Sequence, residues 1–203
     1  MSAASALFFA WVQGAPFYID VHAATVNLLP KGDGKTWLDV GCGPGLVARL
    51  ASERGYDAVG IDRDPAMTQR ARRLARDERR CRFEVGDLDH LAKTHRADIV
   101  SAASLLFVLP DPHAGIHHLW RCVRSGGALL IVETTQDMLP ARVRQARDGV
   151  RRGRGLALTL WALVRRGRTI HPSVFEGIAP ASQECKLLLN GLVQARVFIK
   201  EVA

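Results

Sequence analysis

Leu38-Asp39-Val40-Gly41-Cys42-Gly43-Pro44-Gly45 is a short apolar run that ends in three glycines at alternate positions. An apolar helical pattern follows at once with Leu46, Val47 and Leu50. Glycine lacks Cβ, so such a loop turns tightly and lets its backbone approach a bulky ligand. The helix behind it directs unpaired N–H groups and a positive dipole end toward the loop. A strand, a glycine loop and a helix in that order therefore predict a site for a charged, nucleoside-bearing molecule.

The pattern continues outward in alternation. Thr36–Val40 reads as a strand and Leu46–Arg54 as a helix closed by Gly55. Asp57–Ile61 is a second strand. Asp64-Pro65 then opens a helix through about Asp77, with Asp64 as the cap and proline in the first turn. Cys81–Val85 is a third strand and Ala97–Ala102 a fourth. Asp111-Pro112 opens another helix whose Ile116, Leu119, Trp120 and Val123 share a face. Ser125-Gly126-Gly127 reads as a turn before Ala128–Val132, a continuous apolar run suited to a buried parallel strand. Alternation at this period predicts βαβ units and a sheet covered on both faces. Near the end, Glu184–Leu189 and Leu192–Val202 flank Asn190-Gly191, a hairpin signal.

Two features separate this chain from dinucleotide-binding domains. Their fingerprint is G-x-G-x-x-G with an acid about 20 positions on, whereas the glycines here read G-x-G-x-G. Such domains also usually finish on a further parallel strand, not on a hairpin. The glycine loop preceded by Asp39 resembles motif I of class I S-adenosylmethionine-dependent methyltransferases. The resemblance is good over residues 37–135 and weaker over 180–203. It implies an α/β fold with three α/β/α layers and a seven-stranded, mostly parallel sheet in the order 3-2-1-4-5-7-6, strand 7 antiparallel. Residues 1–35 then form an N-terminal helical cap, with helices around Ala6–Gln13 and Phe17–Leu28. Residues 36–203 form the Rossmann-like core, with a helical insertion at about 136–180. Within the insertion Met138–Val150 and Leu156–Val164 read as helices, separated by Arg151-Arg152-Gly153-Arg154-Gly155.

Ligands of open parallel sheets bind beyond the carboxyl ends of the strands, which nominates the cofactor residues. The first strand supplies Asp39, Gly41, Cys42 and Gly43, and Gly45 completes the loop. The second supplies Asp62 and the adjoining Arg63. A carboxylate at Asp62 can accept from both ribose hydroxyls. The resemblance implies that Asp87 accepts from an adenine amino group, with a backbone N–H near Leu88 bonding the ring. Ser104 leaves room for the sulfonium, and Tyr18 closes over the methionine end. His113 and Glu133 are the candidate general bases, being titratable groups near the ends of the fourth and fifth strands. The phrases Val108-Leu109-Pro110-Asp111-Pro112 and Arg124-Ser125-Gly126-Gly127 resemble the small-molecule branch of the family. Ser101-Ala102-Ala103-Ser104 stands where amino-methylating nucleic-acid enzymes carry Asn-Pro-Pro-Tyr.

The expected function is transfer of a methyl group from S-adenosylmethionine to a small molecule by in-line displacement. That chemistry requires no metal and no covalent enzyme intermediate. Composition limits the rest. Of 203 residues 48% are hydrophobic, enough for one core. The apolar runs Ala3–Val12 and Gly155–Val164 fall short of the roughly 18 residues a membrane span needs. No basic segment precedes the first of them, so no secretory signal is expected. Four scattered cysteines form no C-x-x-C pair, which argues against zinc and for a reducing cytoplasm. The net charge of +8 comes largely from Arg70–Arg80 and Arg142–Arg168, read as solvated helix faces. Three alternatives remain open: a methyltransferase gripping RNA or lipid through the basic insertion, a non-catalytic adaptor with this fold, and a dehydrogenase. The acceptor atom, the oligomeric state and the role of the insertion carry no decodable motif.

Overall fold

The computed structural model describes residues 10–146 and 155–202. A helix, α1 (Pro16–Val26), precedes the alternation. There follow β1 (Thr36–Val40), α2 (Leu46–Glu53), β2 (Asp57–Asp62), α3 (Pro65–Leu74), β3 (Cys81–Val85), α4 (Leu88–Thr94) and β4 (Ala97–Ala103). The second half runs α5 (Pro112–Cys122), β5 (Val123–Thr134), α6 (Pro140–Ala146), α7 (Gly155–Arg165), β6 (Ser182–Leu188) and β7 (Val193–Ile199). Short 3₁₀ turns lie at Leu106–Val108 and Pro172–Phe175. The seven strands form one sheet in the order β3-β2-β1-β4-β5-β7-β6. The first five are parallel, and β7 lies antiparallel between β5 and β6.

Side chains alternate across each strand, so β1 feeds two cores. Trp37 packs with Tyr56, Val47 and Ala51 on one face, while Leu38 and Val40 join Ile61, Ile116 and Leu119 on the other. All of Ala128–Val132 is buried, as the continuous apolar run predicts for a strand covered on both sides. Each fully buried Leu or Ile there contributes about 1.5–3 kcal/mol. By contrast β6 is exposed at six consecutive residues, Ser182–Leu187. Its Glu184 and Lys186 guard the open edge of the sheet with charge. The turn into β7 places Leu189, Asn190 and Gly191 at φ of 49°, 53° and 84°. It is wider than the two-residue loop that Asn-Gly suggests, because both strands stop short of Leu189 and Leu192.

Other departures from the sequence expectation have local causes. The helix after Asp64 ends at Leu74, not near Asp77. Its buried stripe of Met67, Ala71 and Ala75 has run out, and only charged residues follow. Ser125-Gly126-Gly127 is strand, not turn: β5 begins at Val123. Gly126 at φ 71° absorbs a register break against β4, and Gly126 N and Gly127 O bond the chain beyond β7. Helix α4 escaped the sequence reading, since Leu88 and Leu91 alone are too few to display a helical period. In the insertion, α6 covers Pro140–Ala146, and the expected break at 151–154 lies outside the described residues. The first expected helix of the cap, around residues 6–13, lies largely outside them too. Among the described residues no helix is long and apolar enough to cross a membrane.

Candidate active site

A cleft of about 680 Å³ opens beyond the carboxyl ends of β1 to β4, between α1 and α7. Its rim begins at the glycine loop, where Gly41, Gly43 and Gly45 have φ of 70°, 52° and 82°. These left-handed values cost a residue with a Cβ about 1–2 kcal/mol. At Gly43 a Cβ would lie 3.2 Å from Gln13 Nε2, so the loop backbone forms the wall itself. Asp62, at the end of β2, braces that wall: Gly43 N–H donates to its Oδ2 at 2.9 Å, and Asp64 N–H donates to its Oδ1 at 2.9 Å. Each oxygen retains a lone pair for further donors. Burial raises the Asp62 carboxyl above its ordinary range, and the two N–H bonds oppose that rise.

Of the nominated residues, Tyr18, Gly41, Gly43 and Asp62 line the cleft, as do Arg63, Asp87, Leu88 and Ser104. Asp87 also caps α4, accepting from Asp89 N–H at 3.4 Å. Ser104 stands at φ 59°, a left-handed value held by its N–H donating to Val132 O at 2.8 Å. Holding a serine there costs about 1–2 kcal/mol, and it turns the chain away from β4 beneath Tyr18. Tyr18 is buried against Trp161, with ring centroids 5.2 Å apart, and bonds Ser104. Burial pushes its phenol up to about 12, so it stays protonated. His22 beside it is pushed down to about 4 by burial and stays neutral.

Five nominated residues do not line the cleft. Asp39 shares the face of Trp37 and points under the loop, not into it. Trp37 Nε1–H donates to Ser101 Oγ at 2.8 Å, and Ser101 O–H donates to Asp39 Oδ1 at 2.8 Å. A backbone bond from Ala48 joins Asp39 to the first turn of α2. Asp39 thus fastens β1, β4 and α2 behind the ligand wall. Cys42 is turned inward, its Sγ 3.6 Å from Gly43 O, and burial pushes its thiol up well above the ordinary value. Gly45 is covered by the Phe83 ring. His113 lies on the first turn of α5, its ring 5.3 Å from that of His117, and is not among the residues that line the cleft. Glu133 is buried and faces the backbone after β4, where Leu106 N–H donates to its Oε1 at 3.0 Å. Burial lifts its carboxyl to about 7, against the attraction of Arg165.

The buried acids give a pH signature. Burial also raises Asp39 to about 7, with its Ser101 and Ala48 bonds opposing. An unfolded aspartate titrates near 3.9. Between those values the folded chain holds a proton that the unfolded chain has released. This share of stability is therefore full below about pH 4 and is lost as the pH rises to about 7. Asp39→Asn is expected to reduce that decline by on the order of 2–4 kcal/mol, read from urea unfolding at about pH 5 and about pH 8. Glu133 keeps its own share. Asp98, held low by Thr36 and Arg124 despite partial burial, acts with the opposite sign in both proteins.

Sequence reading missed one functional candidate. Arg165 was grouped with solvated arginines, yet it is buried in the cleft wall, while Arg142, Arg144, Arg166 and Arg168 are exposed. The available signal was its spacing: Leu158, Trp161, Ala162 and Arg165 occupy one helical face.

Residues 38–131 match the family model described as a methyltransferase domain. The chain carries a class I, Rossmann-like methyltransferase domain of the S-adenosylmethionine-dependent kind. A ubiquinone biosynthesis O-methyltransferase of Alkalilimnicola ehrlichii is 35% identical over 101 residues, covering 48% of this chain and 41% of that protein. A trans-aconitate 2-methyltransferase of an Enterobacter species is 35% identical over 96 residues, covering 46% and 37%. The methyltransferase domain is thus shared with proteins of which this chain spans about two-fifths. Among solved structures, the magnesium protoporphyrin IX methyltransferase of Synechocystis PCC 6803, determined with bound SAH (S-adenosylhomocysteine), aligns with a TM-score of 0.66 at 16% identity. That alignment covers 98% of this chain and 95% of the other. A TehB-like SAM-dependent methyltransferase of Corynebacterium glutamicum aligns with a TM-score of 0.59 at 19% identity, covering 98% and 100%. These two likenesses concern the fold.

The methyltransferase cleft is chemically suited to an adenosyl group. Left-handed glycine backbone forms one wall, and Asp62 at its rim has lone pairs to spare for hydroxyl donors. Ile61, Met67 and Leu88 supply an apolar bed for a flat ring.

Proposed function

We propose that this protein transfers a methyl group from S-adenosylmethionine to a small-molecule acceptor. The observation that carries the reading is the Asp62 carboxylate, bonded to Gly43 N–H at the mouth of the glycine loop. A carboxylate anchored this way meets a ribose with little further loss of side-chain freedom. When bound, S-adenosylmethionine supplies an activated methyl on a sulfonium with a neutral thioether as leaving group.

The chain's task is then alignment and exclusion of water. Asp62 accepts from the ribose hydroxyls. Asp87 and the Leu88 backbone hold the adenine edge, and Leu88 with Met67 covers its face. Tyr18, kept protonated, and Ser104 frame the opening through which the acceptor approaches. Trp161 and Phe107 close the outer wall against solvent. Positioning of this kind accounts for about 7–11 kcal/mol of barrier lowering in favourable cases. An acceptor that arrives ionised needs no base. Neither His113 nor Glu133 is among the residues that line the cleft, and Glu133 accepts from Leu106 N–H. Glu133 instead fixes the turn after β4 that carries the cleft wall. Four free cysteines suit a reducing cytoplasm.

Calorimetric titration with S-adenosylhomocysteine tests the first half, with one-to-one binding expected. Absence of binding, or a preference for a nicotinamide dinucleotide, would remove the proposal. Mass spectrometry of a small-molecule panel incubated with methyl-labelled cofactor tests the second half, with a labelled methyl ester, ether, amine or thioether as the expected product.

A further inference from the structure

Arg165 ends α7 with its side chain inside the cleft and only 2% of its surface exposed. Its guanidinium carbon lies 3.7 Å from the centroid of the Phe107 ring and 5.9 Å from that of Trp161. Nε and Nη1 are fully buried and have no hydrogen-bond partner among the described residues. Glu133 attracts the charge through space, but its Oε1 is taken by Leu106 N–H. Burial lowers the Arg165 pKa, and Glu133 and Tyr18 only partly offset that. A buried guanidinium with orphaned donors is costly unless a partner arrives.

The missing partner is defined by what a guanidinium fork fits. Nε and a terminal nitrogen present two parallel N–H groups, which match the two oxygens of a carboxylate. The aromatic faces of Phe107, Trp161 and Tyr18 around it favour a flat, conjugated body. Location separates two sources of such a group. The glycine loop, Asp62 and Asp87 occupy the β1–β3 side of the cleft. Arg165 instead stacks on Phe107, just after β4, and is drawn to Glu133 on β5. That side is set apart from Asp62 and Asp87, the residues read above as holding the ribose and the adenine.

We propose that the methyl acceptor bears a carboxylate on a planar, unsaturated frame and that Arg165 receives that carboxylate. The inference rests on the methyltransferase reading above, and its test separates the two. Protein saturated with S-adenosylhomocysteine is titrated with benzoate and with benzamide, its uncharged isostere, by ligand-observed NMR or calorimetry. Benzoate is expected to bind at least about tenfold more tightly. In R165Q that preference is expected to vanish, while affinity for S-adenosylhomocysteine stays within about twofold. R165K, which keeps the charge and loses the fork, is expected to fall between them.

Equal binding of acid and amide by the unaltered protein overturns the proposal, and this arm needs no variant to fold. A loss of S-adenosylhomocysteine affinity of about tenfold in R165Q also overturns it, because Arg165 would then hold the carboxylate of the cofactor. Failure of S-adenosylhomocysteine to bind the unaltered protein instead defeats the methyltransferase reading.

Discussion

Asp62→Ala is expected to weaken S-adenosylhomocysteine binding about a hundredfold with the fold retained. Hydrogen bonds to a charged acceptor contribute about 1.5–3 kcal/mol each, and a ribose offers two donors. Partial exposure of Asp62 screens some of this, so a net loss of about 3 kcal/mol is the reasonable scale, or about a hundredfold. The variant also strips Gly43 and Asp64 N–H groups of their acceptor. Both lie near the rim where water can replace it, at a cost of about 1 kcal/mol in stability. Asp62→Asn keeps an acceptor oxygen for the loop but loses the charge, and a loss of about tenfold is expected. Calorimetry measures both. Affinities within about threefold of the parent would assign Asp62 to loop bracing alone.

Gly45→Ala is expected to cost stability more than any other single-methyl change at the loop. The residue has φ 82°, which an alanine adopts at about 1–2 kcal/mol. The new Cβ would also lie 2.5 Å from Cε1 and Cζ of Phe83 and 2.9 Å from the Ala71 methyl. Phe83 is itself buried, so it cannot withdraw freely, and overpacking adds about 1–3 kcal/mol. The expected total is about 2–5 kcal/mol by urea unfolding. Gly34 separates the two contributions. It has φ 80°, but nothing lies within 4 Å of an added Cβ. Gly34→Ala should lose only the conformational share. In the Gly45→Ala background, Phe83→Leu should cost less than it does alone, because the shorter side chain vacates the contested space.

The same contact explains how far the sequence could be read. Strand, loop and helix around Gly41–Gly45 follow from local chemistry: apolar alternation, left-handed backbone, and an apolar helix face. The sheet order followed from the resemblance, supported by the length of each alternation and the terminal Asn-Gly turn. Which loop glycines meet the ligand was not legible, because that depends on what the rest of the fold stacks beneath them. Gly45 serves Phe83, thirty-eight residues on, whereas Gly43 faces the cleft. The inward turn of Asp39 was available in principle. Strand alternation puts it on the side of Trp37, a residue too large to leave uncovered. Arg165 was likewise readable as a basic residue on an apolar stripe. The aim of His113 was not, since it depends on how α5 is rotated against the sheet, and that rotation is set by Ile116 and Leu119 in the core.

The outer hairpin carries a practical consequence. Because Ser182–Leu187 meets water on both sides, no buried side chain tells this edge strand how far to slide along β7. Its alignment is dictated by the left-handed corner from Leu189 to Gly191. The corner stands at the carboxyl end of β5, the same end of the sheet as the cleft, and Thr135 O–H and N–H donate to Gly191 O and Leu192 O there, so lengthening it would slide β6 and also loosen the chain that leaves β5 for the insertion. A fluorophore on the exposed face of β6, at Cys185, would leave that corner intact and still ride on the same sheet as the cleft.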